Sequence, residues 1–552
     1  SSKCGEKFDE KVCVYEWSKM VKKDMSIGTL KYLAKTDNPD AYAALVYKFT
    51  KNFIDKSLHG SHTDIAKALH EIYGDQFICS SITYKAWYEF CENRWQRMEE
   101  GTKLRSKISD EIVGYYEKMA GDIVKEMAAC KDGDKGGEIK RKFEQVFKLM
   151  NNLKQSPFKN NVMREAMEVF YKGDLSSKLD ANPWLISFKN GVYDLKENIF
   201  REGRPDDYIS LQLGVSYNVD LQEDSPAVLE VHDFLEKVFP DRSVREYFLD
   251  TSSDVFVGGN PNKLVQVWSG DGDNAKSVTQ ILFEKMLGEY SVKLPTSLIT
   301  GKRTQSSAAC PELVRAGNGV RWAVLQEPDQ KDILNIGILK ELSGNDTFYA
   351  RTLHREGGEI TPMFKLVLIC NEPPKVPYDD KATWNRIRVI PFESTFCDNP
   401  PSTTAEQLKE KRFPKDPHFT DKIPSMIEAF AWLLLNHKKK IIKRVEPEKV
   451  KLATANYRKK NDTYRQFIEE SIMDDEHSIL SLTELYSQFK EWHKDSLPNH
   501  SVPIKNEVKE YFTKVWGEYL KGTKWRGYKI RTLQDDLQEG NAFVMEEGDF
   551  EN

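Results

Sequence analysis

Hydrophobic positions recur at intervals of three and four residues through the first part of the chain. Ala66 and Leu69 show the first interval, and Tyr115 and Met119 show the second. Apolar side chains at these intervals fall on one face of an α-helix. The pattern therefore predicts a mainly helical region over residues 1–150.

The pattern changes to short strand-like runs within residues 182–217. Two such runs lie on either side of Asn190–Gly191, a dipeptide that favours the tight turn of a β-hairpin. This part of the chain is therefore predicted to form two short strands. The polar residues 220–226 follow and separate it from the next block.

Strand-like and helix-like patterns alternate over residues 227–430, as in an α/β core with a central sheet. The last block, from residue 440, is rich in helical patterns and includes the aromatic, basic stretch 521–529. Together these patterns predict a multidomain α/β protein. Its expected segments are a helical N-terminal or collar region with a small β segment (1–225), an α/β domain (226–430), a C-terminal winged-helix-like domain (440–532) and an acidic tail (533–552).

The composition indicates a soluble globular protein with no membrane partner. The 552 residues are 39% hydrophobic and 30% charged, with a mean hydropathy of -0.60. No apolar run approaches the roughly 20 residues that a membrane-spanning helix needs. The 8 cysteines form no C-x-x-C pair, so neither a zinc site nor a disulfide framework is indicated. We therefore expect reduced thiols and an intracellular protein.

The distribution of charge is more informative than the net charge of -5, which gives no general sign of nucleic-acid binding. Residues 438–460 contain ten Lys and Arg against two Glu. Two interpretations of this run stay open on the sequence alone. It would either contact the phosphates of a nucleic acid or form a solvated helical face or linker.

A glycine-rich turn lies between an apolar strand pattern at 264–268 and a helical pattern at 278–286. A P-loop has this context and ends in Lys followed by Ser or Thr. Its backbone N–H groups and the helix N-terminus would face phosphate oxygens. Lys276 would contact the β- and γ-phosphates of ATP, and Ser277 would bind Mg²⁺. The candidate nucleotide-binding residues are Gly270, Asp271, Gly272, Asp273, Asn274, Ala275, Lys276 and Ser277.

Ala275 departs from the P-loop pattern, which has glycine at this position. Alanine is compatible with the turn if residue 275 keeps a negative φ, so we expect that backbone conformation here. The alternative interpretation is a glycine-rich loop ahead of an ordinary helix.

A second apolar strand pattern, 321–326, ends next to an acidic side chain. Glu327 would orient the attacking water or act as general base, and it would help Ser277 to bind Mg²⁺. Asp329 is a second candidate for this role. Gln326 occupies the place of the usual metal-binding Asp, which puts the surroundings of the Mg²⁺ ion in doubt.

A third strand pattern, 364–370, is followed by Asn371. Its amide would hold the attacking water or sense the γ-phosphate. Further along, the stretch 384–392 carries Arg386 and Arg388 at the spacing of a strand.

A β-hairpin is predicted between the second and third of these strands. Residues 348–353 and 359–364 flank a Gly-Gly turn at 357–358. The tip of this hairpin would expose His354 and Arg355.

Taken in order, these motifs resemble those of superfamily 3 helicases. The series is G-D-G-D-N-A-K-S, Q-E-P, K-E-L-S-G-N-D followed by A-R-T-L, L-I-C-N and W-N-R-I-R-V-I-P-F. It is most similar to the poxvirus-type primase–helicases of large eukaryotic DNA viruses and of related phages and plasmids. Stretches that begin at His62, Trp87, Asn182 and Tyr457 resemble the same family, so the resemblance covers most of the chain.

The resemblance implies an ATP-dependent DNA helicase for viral genome replication. Its 226–430 segment would be an AAA+-like ATPase domain in a hexameric ring, with ATP and Mg²⁺ as cofactors. Its partners would be single-stranded or forked DNA, further copies of the chain, and a primase domain or other replisome proteins. It would act in the host cytoplasm or a viral replication factory. Because this chain shows no carboxylate-and-zinc primase pattern, we expect a primase domain to be missing from it.

The resemblance also implies roles for single residues. Arg386, or else Arg388, would be the arginine finger that reaches the ATP of a neighbouring subunit, and the hairpin tip would track single-stranded DNA in the pore. The implied site residues are Lys276, Glu327, Asn371 and Arg386 for catalysis, His354, Arg355 and Arg351 for DNA binding, and Ser277 and Glu327 for the metal.

Two other functions stay open on the sequence alone. A packaging or initiator ATPase would move or melt duplex DNA without processive unwinding. A DNA-binding scaffold would use the P-loop only to sense nucleotide. Glu327 and Arg386 argue against the scaffold, because passive binding needs neither residue.

Overall fold

A computed structural model gives the fold of the chain. It describes residues 27–129, 133–301, 310–317, 319–329, 332–351, 358–377, 380–496 and 502–532. The acidic tail at 533–552 and the hairpin tip with His354 and Arg355 lie outside the described residues. Across the described ranges, no helix combines the length and apolar character needed to cross a membrane.

Helices dominate the N-terminal region, as the hydrophobic spacing predicts. Most of them contribute apolar side chains to one core, in which Leu69, Ile112 and Tyr116 are fully buried. The helices are α1 (Ile27–Asp37), α2 (Pro39–Lys56), α3 (His62–Tyr73), α4 (Thr102–Lys107), α5 (Val113–Ala129), α6 (Gly133–Leu153), α7 (Ser156–Val169) and α8 (Leu175–Lys178).

A three-stranded antiparallel sheet interrupts these helices, which the sequence pattern did not predict. It consists of β1 (Phe77–Ser81), β2 (Ala86–Cys91) and β3 (Arg94–Glu99). Strands β2 and β3 are joined through Glu92 and Asn93, which both have positive φ (49° and 68°). Such a turn suits the twist of a hairpin, but it lacks the glycine that usually signals it.

A second antiparallel sheet follows at the position predicted for a hairpin. Strands β4 (Leu185–Phe188) and β5 (Gly191–Asp194) confirm the predicted pair, but the turn consists of Lys189 and Asn190, one residue earlier than predicted. A third strand, β6 (Ile199–Arg201), extends the sheet beyond the prediction.

The next part of the chain alternates strands and helices, as predicted for an α/β core. Its elements, in chain order, are α9 (Pro226–Val238), α10 (Arg242–Ser252), β7 (Val265–Ser269), α11 (Lys276–Leu287), β8 (Ser291–Lys293), α12 (Ser297–Thr300), α13 (Pro311–Ala316), β9 (Trp322–Gln326), α14 (Ile336–Ser343), β10 (Phe348–Ala350), β11 (Gly358–Ile360), β12 (Lys365–Cys370), α15 (Lys381–Trp384), β13 (Ile387–Pro391), β14 (Thr395–Cys397), α16 (Thr404–Glu410), β15 (Arg412–Pro414) and α17 (Phe419–Lys440).

Five of these strands form a parallel sheet in the order β13-β7-β12-β9-β8. Alternate side chains of each strand enter two separate cores. Trp268 and Trp322 face one core, and Val267 and Leu368 face the other. A parallel sheet covered on both faces needs such continuous apolar strands, which is why the sequence shows them as unbroken runs. The carboxyl ends of β7, β9 and β12 meet at one edge of the sheet.

The structure differs from the expected segment ends at 430 and 440. Helix α17 runs through residue 430 without a break. The next helix, α18 (Glu448–Lys460), packs on β13 and contributes Val450 and Tyr457 to the two cores of the parallel sheet. The core therefore extends to about Asn461.

The basic run 438–460 is largely engaged within the molecule. Lys438 and Arg444 both pair with the partly buried carboxylate of Asp254. Lys440 pairs with Glu223 at 2.6 Å. These ion pairs favour the interpretation of this run as part of the folded core rather than as a free surface for nucleic acid.

A C-terminal unit with its own core completes the described chain. Phe467, Phe489, Phe512 and Trp525 form the centre of this core. Strands β16 and β17 pair as an antiparallel ribbon. The elements are α19 (Thr463–Ser471), β16 (Ile472–Ser481), α20 (Leu482–Ser496), α21 (Lys505–Trp516) and β17 (Lys524–Ile530).

Hydrogen bonds join the residues just before this unit to a segment that follows β12. Tyr457 donates its hydroxyl to the carbonyl of Pro374 at 2.6 Å, and the side chain of Asn461 accepts from the backbone N–H of Val376 at 2.7 Å. Pro374 and Val376 lie three and five residues after Asn371. The C-terminal unit is therefore attached next to one of the candidate site residues.

Candidate active site

The glycine-rich turn lies between β7 and α11, as the sequence predicts. Strand β7 ends at Ser269 and helix α11 begins at Lys276. A Cβ atom on Gly270 would lie 2.3 Å from the carbonyl oxygen of Phe392, the residue after β13. Only glycine fits at this close approach of two backbones.

The backbone of Ala275 contradicts the expectation of a negative φ. Its φ is 63° and its ψ is 14°, in the left-handed region. This conformation costs an L-residue roughly 1–2 kcal/mol. Alanine has the smallest side chain among the residues that carry a Cβ atom. The carbonyl of Ala275 accepts from the N–H of Thr279 at 2.9 Å, which is the first hydrogen bond of α11.

The side chain of Lys276 is hydrogen-bonded to the backbone of the loop. Its ammonium group donates to the carbonyls of Gly270 and Asp271, and to the side-chain oxygen of Asn371 at 3.1 Å. Burial lowers the pKa of Lys276, while the nearby Cys370, Asp271 and Glu327 act in the opposite direction. The structure therefore brings together Lys276 and Asn371, two of the residues chosen from sequence.

Glu327 follows β9 at the same edge of the sheet. Its backbone N–H donates to the carbonyl of Ile369 at 2.9 Å, and its φ of 48° turns the chain sharply out of the strand. The side chain is exposed on the side of Lys276. A carboxylate in this position can accept a proton from a water molecule near the loop.

Gln326 is tied to helix α11 by a residue that sequence reasoning missed. Its side-chain N–H donates to the side-chain oxygen of Gln280, and the side-chain N–H of Gln280 donates to Glu284 at 2.8 Å. Gln280 lies one turn after Lys276 on α11, so the helical spacing offered a signal for it. The place of the usual metal-binding Asp is therefore filled by a neutral amide with a fixed orientation.

A cavity of about 580 Å³ opens over the loop. One side is polar and carries the P-loop, Gln326, Glu327 and Asn371. The opposite side is partly aromatic, and its residues come from three distant segments that no local pattern could connect. This second wall includes Phe234, Lys237, Phe396, Lys415, Phe419 and Lys422.

Ser277 and Glu327 are two of the side-chain oxygen donors at this cavity, which also has carboxylates such as Asp273 in its lining. Both side chains are exposed, and both line it. The described ranges contain no group of three or more His, Cys, Asp or Glu side chains arranged to hold a metal. Mg²⁺ is commonly bound through one or two protein oxygens together with phosphate oxygens of the substrate. The donor set fits an ion of this kind that arrives with a nucleotide.

Arg386 lies at the opposite edge of the sheet from the P-loop. It precedes β13, whose first residue pairs with the start of β7 and whose last residue pairs with Ser269. Five residues of strand separate Arg386 from the loop, a distance of roughly 15 Å. One N–H of its guanidinium donates to the carbonyl of Ala382 at 2.8 Å.

Arg388 is engaged inside its own chain. Its Nε donates to Glu446 at 2.9 Å, and its Nη1 donates to the carbonyls of Ile387, Trp384 and Asn385. These contacts tie β13 to the segment before α18. Of the two arginines, Arg386 has the fewer contacts of this kind.

The hairpin strands form as predicted, although they are shorter. Strands β10 and β11 pair with Phe348 opposite Ile360 and Ala350 opposite Gly358. Arg351 follows β10, is half-buried, and accepts with its carbonyl from the N–H of Cys310 at 2.9 Å.

Comparisons with known proteins identify relatives over nearly the whole chain. A family model described as "D5 N terminal like" matches residues 66–240. "Putative helicase 022R" of Frog virus 3 is 33% identical over 97% of this chain and 64% of its own length. "Putative helicase L207/L206" of Acanthamoeba polyphaga mimivirus is 34% identical over 93% of this chain and 54% of its own. "Putative primase C962R" of African swine fever virus (isolate Warthog/Namibia/Wart80/1980) is 22% identical over 99% and 60%.

The chain thus spans between about half and two thirds of the length of these relatives. The family model begins within α3 and covers the later N-terminal helices, the two antiparallel sheets and α9. The viral relatives extend the match through the P-loop and the C-terminal unit. The chain belongs to the D5-type primase–helicase family of large DNA viruses.

Proposed function

We propose that this chain is the ATP-dependent DNA helicase part of a viral primase–helicase. One observation carries the proposal: Lys276, Asn371 and Glu327 reach one cavity from three adjacent strands of a parallel sheet. Ligands of open α/β sheets bind at the carboxyl ends of the strands, which is where this cavity lies. The strand order, with β7 between β13 and β12, supports an AAA+-like domain.

The cavity supports a division of labour in hydrolysis. Lys276 would move its hydrogen bonds from loop carbonyls to the β- and γ-phosphates, with the N–H groups of the loop around them. Glu327 would take the proton of the attacking water, and Asn371 would orient that water or the γ-phosphate. Mg²⁺ held by Ser277 and Glu327 would supply charge neutralisation of the phosphates.

Arg386 supports assembly into a ring. It lies too far from the P-loop of its own chain to touch the same nucleotide, so we propose that it reaches the ATP of the next subunit. A homohexamer in which each arginine completes a neighbour's site follows from this proposal. Arg388 is a weaker candidate because Glu446 already holds it.

Single-stranded or forked DNA is the proposed substrate. The hairpin that contains His354 and Arg355 would face the pore, with Arg351 at its base, and the C-terminal unit would serve as a winged-helix-like domain. A primase domain would act with this chain at the replication fork, in the host cytoplasm or a viral replication factory.

The decisive experiment measures ATP hydrolysis with and without single-stranded DNA, together with unwinding of a forked duplex. The parent chain should show both activities. Lys276→Ala should lose hydrolysis by orders of magnitude, because the charge of the phosphates is then uncompensated. Glu327→Gln should retain nucleotide binding and lose turnover. A parent chain that neither binds nor hydrolyses ATP would refute the proposal.

Gln326 favours one alternative, a scaffold that binds DNA and only senses nucleotide. Its amide is fixed by Gln280 and carries no charge for a metal ion. The same assay separates the two functions. A scaffold would bind ATP and DNA, but Glu327→Gln would change neither its hydrolysis nor its unwinding, since both would be absent from the parent.

A further inference from the structure

The segment from β14 to β15 is attached to the P-loop by its backbone. The N–H of Phe396 in β14 donates to the carbonyl of Asp273 at 2.7 Å. The N–H of Lys415, the residue after β15, donates to the carbonyl of Cys397 at 3.0 Å. We call residues 395–415 the flap. Its two hydrogen bonds fix the position of Lys415 relative to the loop.

Lys415 and Asp273 form an ion pair at the mouth of the cavity. The ammonium nitrogen of Lys415 lies 3.1 Å from a carboxylate oxygen of Asp273, and both side chains line the cavity. The two side chains are 49% and 62% exposed. A pair so exposed contributes little to stability, so either partner is readily exchanged for a stronger one.

A nucleoside polyphosphate is the stronger partner. Its phosphates would lie along the N–H groups of the loop, beside Asp273, and they carry several negative charges where Asp273 carries one. Charge-assisted hydrogen bonds to phosphate are among the strongest that a lysine makes. The aromatic side chains of Phe234, Phe396 and Phe419 line the same cavity and offer an apolar surface to a base.

We propose that Lys415 is a phosphate-binding residue of the nucleotide site, and that it pairs with Asp273 while the site lacks nucleotide. The inference rests on the proposed function, because it needs a nucleotide in this cavity. It adds a cation that no P-loop pattern contains. It also gives Asp273 a role opposite to that of the other loop residues: its carboxylate competes with the ligand.

The test is direct calorimetric binding of Mg-ATP to the full chain and its variants. Lys415→Ala should raise the Kd by about tenfold to a hundredfold, since a hydrogen bond to a charged group is lost. Asp273→Asn should lower the Kd, because the substitution releases Lys415 from its ion pair. Lys409→Ala is the matched control, because Lys409 is an exposed lysine of the same flap that does not line the cavity.

The two variants separate a ligand contact from a merely structural latch, because both break the ion pair. If Asp273→Asn weakens binding as much as Lys415→Ala does, the pair only holds the flap in place and the inference is overturned. It also falls if Lys415→Ala keeps the parent Kd while Lys276→Ala abolishes binding, a result that leaves the proposed function standing. A parent chain that does not bind Mg-ATP would remove both.

Discussion

Three non-glycine residues around the cavity have left-handed backbone conformations. Their φ angles are 54° at Asp273, 63° at Ala275 and 48° at Glu327. Each such residue costs on the order of 1 kcal/mol and persists only where its surroundings enforce the conformation. Here the enforcing contacts are the backbone hydrogen bonds of Asp273 to Phe396 and of Glu327 to Ile369. Strain of this kind is concentrated where the structure must aim backbone and side chains at a ligand.

Ala275 offers the clearest test of this strain. Ala275→Gly should raise the free energy of unfolding by up to about 1 kcal/mol and keep Mg-ATP affinity, because glycine adopts a φ of 63° freely. Ala275→Val should lower the free energy of unfolding by roughly 2 kcal/mol or more and weaken nucleotide binding, because a β-branched side chain disfavours left-handed backbone. Chemical denaturation and calorimetry measure both effects.

The matched control is Ala405→Val on the exposed surface of α16. It introduces the same side chain into ordinary helix and should cost only about 0.5 kcal/mol. Equal losses at positions 275 and 405 would show that the backbone at Ala275 carries no special strain.

Among the elements, strand β12 connects the candidate site with a buried charge cluster. Asn371 follows its carboxyl end, and Lys365 begins it at the opposite edge of the sheet. Lys365 is buried, donates to the carbonyl of Val257, and lies near Asp254. Burial lowers the pKa of Lys365 to about 7, and the nearby Asp254 only partly offsets this effect.

This buried lysine should make stability depend on pH. Between pH 7 and the ordinary lysine pKa of 10.5, the unfolded chain still binds the proton that the folded chain has released. Raising the pH in this window therefore favours the folded state, by up to about 1.4 kcal/mol per pH unit. Lys365→Met lacks this contribution, so its increase in stability from pH 7 to pH 9 should be smaller by roughly 2 kcal/mol, as measured by denaturant unfolding at each pH. Lys293→Met, in the exposed edge strand β8, should retain the parent slope.

Elements with long apolar runs were the ones that the sequence predicted well. Strands β7, β9 and β12 are buried on both faces, so their hydrophobic runs and the polar residues after them were visible. The β1–β3 sheet was missed because its second turn uses Glu92–Asn93 instead of a glycine signal. The core was expected to end too early because the basic residues after α17 look like a linker until Asp254 is placed beside them.

The cavity shows the same limit within the site. Its P-loop side could be found from motifs, since adjacent residues define it. Its other side could not, because Phe234, Phe396 and Phe419 come from α9, β14 and α17 and meet only in the folded chain. The left-handed φ of Ala275 was likewise a property of the loop's surroundings rather than of its composition.

At the scale of the whole molecule, Arg386 should act between copies of the chain. A preparation that mixes Arg386→Ala with Lys276→Ala chains should recover part of the ATPase activity that neither has alone. The physical reason is that some mixed interfaces combine an intact arginine with an intact P-loop. Hydrolysis is measured across mixing ratios, with native mass spectrometry to verify mixed assemblies. Mixed assemblies without recovered activity would mean that Arg386 does not act in trans.

The hairpin tip should couple hydrolysis to DNA. Changing His354 and Arg355 together to Ala should leave basal ATPase nearly intact, because the catalytic side chains follow the carboxyl ends of β7, β9 and β12. Unwinding of a forked duplex and the stimulation of ATPase by single-stranded DNA should both fall sharply, since contacts to backbone phosphates are lost. Lys409→Ala serves again as a surface control. Unchanged unwinding would place the grip on DNA elsewhere.

The hydrogen bonds from Tyr457 and Asn461 to residues 374–376 have a thermodynamic consequence. They join the residues just before the C-terminal unit to a segment that begins three residues after Asn371. If nucleotide binding moves Asn371, it also moves this segment. The free energy of that movement then depends on the position of the C-terminal unit. Reciprocity of binding free energies then requires that a ligand of that unit change nucleotide affinity by the same factor. Nucleotide binding and ligand binding at the C-terminal unit would then be coupled. A titration at either site would change the affinity measured at the other.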